Sequence, residues 1–301
     1  MTVLCGTDFS HLATEAARVA GLIARASGQD LHLVHVLPAE SLPPDTGSRT
    51  GQSGFPVDRL AWEAETLRVA GLPIVTDVMR GRPDEALVKR AGELGATLIV
   101  IGAVGHRTID RWVLGSCADA TAREASVPVL VVRAAEPFVE WLVKEQPLKV
   151  VVGVEAGPSS DRGLAWAGAL RRIGPIDLVL ARLVVPGEEN RRLGIAGPGM
   201  GIALLPETEA RLLEELRARQ RLLLGDSDVA VGLKVIPALG RLDRHLVTAA
   251  EELGADLIVV GSRHREGFRR WWHGSVSGGV LGAAPMSVAV VPVVESGPTD
   301  S

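Results

Sequence analysis

The stretch TLIVIGAVGHRTIDRWVLGSCADATAREAS, Thr97 to Ser126, decides how this chain is read. Its first five residues, Thr97 to Ile101, are an apolar run that reads as a buried strand. ADATAREAS at its end reads as a helix, opened by Gly115-Ser116. Between them lies a loop carrying Gly102 and Gly105. Strand, glycine-bearing loop and helix N-terminus, in that order, is the arrangement that phosphate binding uses. Glycine lets backbone come within contact of a phosphate and take positive φ. The free N–H groups of the helix's first turn point at the anion, and the macrodipole favours it. Ser116 adds a hydroxyl donor, and Arg107 and Arg111 place positive charge in the loop. The bland alternative is an ordinary strand-to-helix connection that binds nothing, since a fold alone confers no function.

The chain repeats itself. A shift of 159 residues lays GRPDEALVKRAGELGATLIVIG (Gly81 to Gly102) over GRLDRHLVTAAEELGADLIVVG (Gly240 to Gly261). The correspondence continues to Arg111-Trp112 over Arg270-Trp271 and Gly115-Ser116 over Gly274-Ser275. A period this long indicates duplicated domains, not a solenoid, whose repeats run roughly 20–50 residues. Residues 1–135 and 148–301 are the expected domains. AAEPFVEWLVKEQP between them reads as a docked connector, because it carries Phe138, Trp141 and Leu142.

Within the first repeat, strands are expected at Thr2 to Ser10, Leu31 to Pro38, Leu72 to Met79, Thr97 to Ile101 and Val127 to Val132. Helices alternate with them. The first, near His11 to Ala26, turns Ala13, Ala16, Ala17, Ala20 and Ile23 to one face. The third presents Leu87, Val88, Ala91 and Leu94. Glu40 to Pro56 reads as a loop. The second repeat follows the same plan, with Gly187 to Pro206 as its loop-like segment. Near-continuous apolar strands alternating with helices argue a parallel sheet covered on both faces, an α/β doubly wound domain. Ligands of such sheets bind beyond the strands' carboxyl ends, where strand order reverses.

Composition narrows the function. There are 36 acidic and 32 basic residues, a formal charge of −4, so the basic surface that nucleic acid needs is not expected. No apolar run is long enough to span a membrane. The first strand starts at once, which leaves no room for a signal peptide, and two cysteines make no disulfide framework. A cytoplasmic protein is expected. HExxH, zinc-type Cys/His spacing, a Walker lysine and a GxSxG elbow are all missing from the sequence. Cys117 stands at a helix N-terminus, a place that lowers a thiol's pKa and would suit a redox sensor, but an inert small residue is the favoured reading. His35, inside a strand, reads as packed.

The spacing G-x2-G-x9-G-S over Gly102 to Ser116 resembles the nucleotide-binding signature of the universal stress protein family, and the likeness extends over nearly all of both repeats, as in a tandem member. The resemblance implies two Rossmann-like, adenine nucleotide alpha hydrolase-like domains with five-stranded parallel sheets of order 3-2-1-4-5. It implies ATP as ligand, with Mg2+ or Mn2+ as companion ion, in a stress-response or regulatory protein. Asp8, after Thr7 in TDFS, matches the family's nucleoside-holding aspartate, and its carboxylate can accept hydrogen bonds from ribose hydroxyls. A helix N-cap is its alternative role. Val36 matches the residue that contacts adenine through its backbone. Gly102, Gly105, Gly115 and Ser116 match the triphosphate contacts, with Ile101, His106 and Cys117 as neighbours. The family also implies pairing of fifth strands, here between repeats of one chain, and leaves a homodimer open.

The second repeat departs from the pattern. Glu155 replaces the aspartate, His264 the second glycine, and LVLARLV lacks the His-Val pair, while Gly261, Gly274 and Ser275 persist. A degenerate second site is expected; contacts from Arg263, His264 and Arg265 are the counter-reading. Three classes stay open for the whole chain: an ATP-binding regulatory protein, an ATP-using enzyme or weak ATPase, and a nucleotide-free interaction module. The enzyme class lacks the SGGxDS-type or HIGH-type motif it would need, and no catalytic or metal-ligating residue is assigned.

Overall fold

The first strand, β1 (Thr2–Thr7), carries Val3, Leu4 and Cys5 side by side, all fully buried, so it requires cover on both faces. The computed structural model describes residues 1–37, 55–67, 72–104, 114–155, 157–195, 203–225, 231–263 and 275–293. These form two units, Met1–Gln146 and Pro147–Ser301.

In the first unit, α1 (His11–Ser27) supplies cover on one face through Ala13, Ala16, Ala17, Ala20 and Ile23, all buried. Small side chains let it sit close on β1 and on β4 (Leu98–Gly102). Ser10 caps its start, its hydroxyl accepting from the Ala13 N–H at 3.3 Å; Gly28 ends it in the left-handed conformation, φ 63°. β2 (Asp30–Leu37) and β3 (Ile74–Arg80) extend the sheet on one side of β1, β4 and β5 (Val129–Val132) on the other. Every pairing is parallel, and the order is β3-β2-β1-β4-β5. α2 (Phe55–Leu67) joins α1, whereas α3 (Pro83–Leu94) packs with α4 (Ser116–Glu124). Successive residues of β4 separate the two layers: Ile101 lies near Gly6 and Leu87 of α3, and Gly102 meets the backbone of α1. Val88 and Leu94 of α3 are only half buried.

The connector is helical. α5 (Glu136–Val143) packs on α1, with Phe138 and Trp141 buried and the Ala135 N–H donating to the Glu15 carboxylate at 3.0 Å.

The second unit repeats the plan with β6 (Leu148–Gly153), β7 (Ile176–Val184), β8 (Val231–Pro237), β9 (Leu257–Arg263) and β10 (Ser287–Val293). Its parallel order, β8-β7-β6-β9-β10, again places the first strand between the second and fourth. Both orders are the 3-2-1-4-5 that the family resemblance implied. α6 (Pro158–Ala169) packs on β9 and β10. Inside the expected loop, Pro186–Arg192 forms a short helix, α7. Arg182, Glu189 and Arg192, with Glu215 of α8 (Pro206–Leu224), hold it by ion pairs at 2.5–3.3 Å. α9 (Leu242–Glu252) and α10 (Val276–Ala283) complete the unit. No described helix is long and apolar enough to cross a membrane.

Candidate functional site

In the first unit the chain leaves β1 for one neighbour and β4 for the other, so their carboxyl ends part and leave a cleft of about 140 Å³. Val34 and Val36 of β2, Ile101 of β4 and Leu87 of α3 make apolar walls. Thr7, Asp8, Gly102, Gly115 and Cys117 also line it, with Ala118 of α4. Seven sequence-expected residues therefore meet here: Thr7, Asp8, Val36, Ile101, Gly102, Gly115 and Cys117. Gly105 and His106 lie outside the described residues, as do Arg107 and Arg111. Ser116 is exposed and lines an adjoining cleft of about 440 Å³ with Arg82, Asp84, Asp119 and Arg123. Both arginines are paired there, Arg82 with Asp84 at 2.7 Å and Arg123 with Asp119 at 3.5 Å.

The TDFS turn is tightly held. Phe9 adopts φ 64°, a conformation a bulky residue takes only where its surroundings impose it. The Thr7 hydroxyl accepts from the Phe9 N–H at 3.0 Å and donates to Glu63 at 2.9 Å. His35 Nδ1 lies 2.8 Å from the Thr7 carbonyl oxygen, and its ring stacks on Phe9 at 4.4 Å. Arg59 donates to the Phe9 carbonyl at 3.3 Å and covers its ring at 5.0 Å. Asp8 accepts from the Ser10 N–H at 3.0 Å. Ser10, not Asp8, is the N-cap of α1, which leaves the Asp8 carboxylate at the cleft. His35 is packed, as expected, and also anchors this turn.

The glycine loop is pinned at its base: Ala103 donates to Val132 at 2.9 Å, and Gly115 donates to Ala103 at 2.7 Å. Gly115 is the N-cap of α4 at φ −71°, with no side-chain cap. The helix's first N–H groups have no partner within the helix, and a glycine cap offers them none. Gly102 has a reason of its own: a β-carbon there would stand 2.8 Å from the Leu12 carbonyl carbon and oxygen. Its freedom from a side chain serves strand-to-helix packing, independent of any ligand.

Cys117 is not activated by its place at the start of α4. Burial pushes its thiol up to about 11, with the Asp8 and Asp84 charges acting in the same direction. Desolvation outweighs the helix terminus, so this is not an activated thiol.

In the second unit a β-carbon on Gly153 would lie 2.8 Å from Leu246, as one on Gly6 would lie 2.7 Å from Leu87. The strands can thus be laid over each other. Val154 takes the place of Thr7 and Glu155 that of Asp8; Arg182 and Leu183 replace His35 and Val36. The Glu155 N–H is taken by the Ser160 hydroxyl at 2.7 Å. Gly261 is held against the Ser159 backbone, as Gly102 is against Leu12. Ser275 is itself the N-cap of α10, its hydroxyl accepting from Gly278 N–H at 3.1 Å, so a protein group takes what α4 leaves open. Gly274, His264 and Arg265 lie outside the described residues. Among the described residues no three His, Cys, Asp or Glu side chains cluster in a way that could hold a metal ion.

Sequence reasoning missed Leu87 and Glu63. Leu87 could have been found from its match with Leu246 across the repeat; Glu63 has no such signal.

The Universal stress protein family model matches residues 1–133 and 148–292. A universal stress protein of Mycobacterium tuberculosis is 28% identical over 301 residues, covering 95% of each chain. The crystal structure of a universal stress protein from Archaeoglobus fulgidus DSM 4304 covers 97% of this chain and 98% of its own, at TM-score 0.65 and 18% identity, a likeness of fold. A universal stress protein from Archaeoglobus fulgidus in complex with dAMP is 27% identical and covers 43% of this chain and 94% of its own, at TM-score 0.34.

Proposed function

This chain belongs to the universal stress protein family, and we propose that its first unit binds an adenine nucleotide, ATP above others, in a cytoplasmic stress-response or regulatory role. The observation that carries the reading is the convergence of Asp8 and the uncapped first turn of α4 on one apolar-walled cleft. A purine face suits the slot between Val34, Val36, Ile101 and Leu87. The Asp8 carboxylate, acceptor only when ionised, suits ribose hydroxyls. N–H groups of Ser116, Cys117 and Ala118 suit phosphate oxygens, helped by the helix dipole. Gly115 N–H is already given to Ala103, so the phosphates would rest one residue further into α4. Mg2+ or Mn2+ would be held by the phosphates, since the described residues offer no ligand cluster.

The second unit, with Val154, Glu155 and Leu183 in place and Ser275 capping its own helix, is read as binding nucleotide weakly or not at all. The reading assigns no catalytic step. Mass spectrometry of ligand released by denaturing the purified chain, with calorimetric titration of ATP and GTP, tests it. Adenine nucleotide in the released fraction and heat with ATP alone are expected. No released nucleotide and no heat with either would favour the nucleotide-free interaction module.

A further inference from the structure

Glu63 is a carboxylate in an unusual place: on α2, 3% exposed, among the side chains that shape the candidate site. Burying an ionised carboxylate is costly unless it is well bonded. Burial pushes its pKa up, against hydrogen bonds from Thr7 and Thr14 and the charges of Arg59 and His35. Folding therefore disfavours the charged form of this residue, so its presence is not explained by stability.

Its contacts point to another role. One oxygen accepts the Thr7 hydroxyl at 2.9 Å, the other the Thr14 hydroxyl at 3.3 Å. Thr7 has a single hydroxyl proton, and because its oxygen already receives the Phe9 N–H, that proton is free to go to Glu63. Glu63 thus reaches Phe9 through Thr7, and Asp8 stands between those two residues. Phe9 holds its left-handed backbone only while its neighbours over-determine it. The groups facing Glu63 come from every side: Thr7 and Cys5 on β1, Thr14 on α1, Arg59 on its own helix and His35 on β2.

The second unit shows the same fold without this anchor. Val154 has no hydroxyl where Thr7 stands, and Asp161 occupies the place of Thr14. The clamp from its long helix is an arginine alone. Arg219 of α8 pairs with Asp161 and donates to the carbonyls of Glu155 and Gly157, each at 2.9 Å. Both units therefore set an arginine on a carbonyl of this turn, Arg59 in the first and Arg219 in the second, and the first adds a buried carboxyl group acting through threonine.

We propose that Glu63 is a positioning residue of the nucleotide site: through Thr7 it sets the turn that aims Asp8 into the cleft. The inference rests on the reading of that cleft as an adenine nucleotide site. A group so placed acts as outer support does around any bound ligand, by fixing the orientation of what touches it.

The test is calorimetric titration of ATP into the full chain and into Glu63→Leu, Glu63→Gln, Thr7→Val and the double variant Glu63→Leu/Thr7→Val, each also melted without ligand. Glu63→Leu should weaken ATP about tenfold or more while melting no lower than wild type. Glu63→Gln keeps an acceptor oxygen for Thr7 and should recover affinity to within about threefold. Thr7→Val should lose as much as Glu63→Leu, and the double variant no more than either, because both break one chain of contacts. Wild-type affinity in Glu63→Leu overturns the proposal, as do losses that multiply in the double variant. So does a fall in melting temperature that tracks the lost affinity and that Glu63→Gln does not repair. Should Glu63→Leu fail to fold, Thr7→Val, equal in size, decides alone: unchanged affinity overturns the proposal. Wild-type protein that gives no heat with ATP sinks the nucleotide reading itself, a separate result.

Discussion

A β-carbon on Gly102 would stand 2.8 Å from the carbonyl carbon and oxygen of Leu12, inside the first turn of α1. Backbone cannot swing aside as a flexible side chain can. Gly102→Ala should therefore destabilise the first unit by about 1–3 kcal/mol through overpacking. Gly261→Ala should do at least as much in the second, where the Ser159 carbonyl would be closer still. Thermal unfolding of both variants checks this. A Gly102→Ala protein that melts like wild type but has lost ATP binding would return the glycine to the ligand.

Cys117 should behave as a quiet thiol. With a pKa of about 11, its thiolate is scarce at pH 7.5, and alkylation by iodoacetamide should run roughly a hundredfold slower than for an ordinary thiol near 8.5. Cys5, fully buried and also pushed up, should not compete before unfolding. The rate at Cys117 should climb through pH 9 and 10, as peptide mapping of the alkylated site would show. Fast labelling at pH 7.5 would mean the thiol is not desolvated as its surroundings indicate.

Acid should act on Asp77. Burial tends to raise its pKa, but hydrogen bonds from His32 at 2.8 Å and Arg90 at 2.5 Å outweigh that and hold it below the usual range. A carboxylate depressed by folding adds stability that is present above its unfolded pKa of roughly 3.9 and lost as pH falls through the lower folded value. Asp77→Ala should cost on the order of 1 kcal/mol at pH 7, the low end for a charge-assisted bond, because Asp77 is a third exposed and screened. Its stability should also fall less steeply than wild type below pH 4. Denaturant melts at pH 7 and 3.5 compare the slopes; parallel loss in both proteins would remove Asp77 from the acid response.

What could be read from sequence was whatever is local. The apolar run Thr97 to Ile101, the alanine face of α1 and the order of elements follow from periodicity, and the sheet order comes with the family. Asp8 and Val36 came with the resemblance to the family, and the fold brings both to one cleft. α7 was not: GEENRR has no apolar face, and ion pairs to Arg182 and Glu215 hold it as a helix. At Cys117 the helix terminus is visible in sequence and burial is not, so the physical cause of the inert thiol emerges only from the fold. Glu63 reads as the polar side of an amphipathic helix, since its partners Thr14 and Thr7 lie 49 and 56 residues away. Gly261 persists in the second repeat for packing, so its survival says nothing of a second nucleotide site.

The two units should differ in nucleotide binding, and the cause is open to engineering at the cap of α4. Gly115 has φ −71° and ψ 145°, extended values that suit any capping residue. Gly115→Asp would place a carboxylate where it can accept from the first-turn N–H groups, as Ser275 does from Gly278 in the second unit. A good cap strengthens a helix by about 0.5–2 kcal/mol, so the variant should melt no lower than wild type. It should nonetheless lose ATP, by at least tenfold, because the donors are taken and a like charge faces the phosphates. Calorimetry on the intact chain should give about one tight site in wild type and none in Gly115→Asp. Ser275→Gly, which frees the second helix terminus, should not create a second tight site, since Val154, Glu155 and Leu183 still stand where Thr7, Asp8 and Val36 hold the nucleoside in the first unit. Two equal tight sites in wild type, or undiminished binding in Gly115→Asp, would mean that the phosphates do not rest on α4.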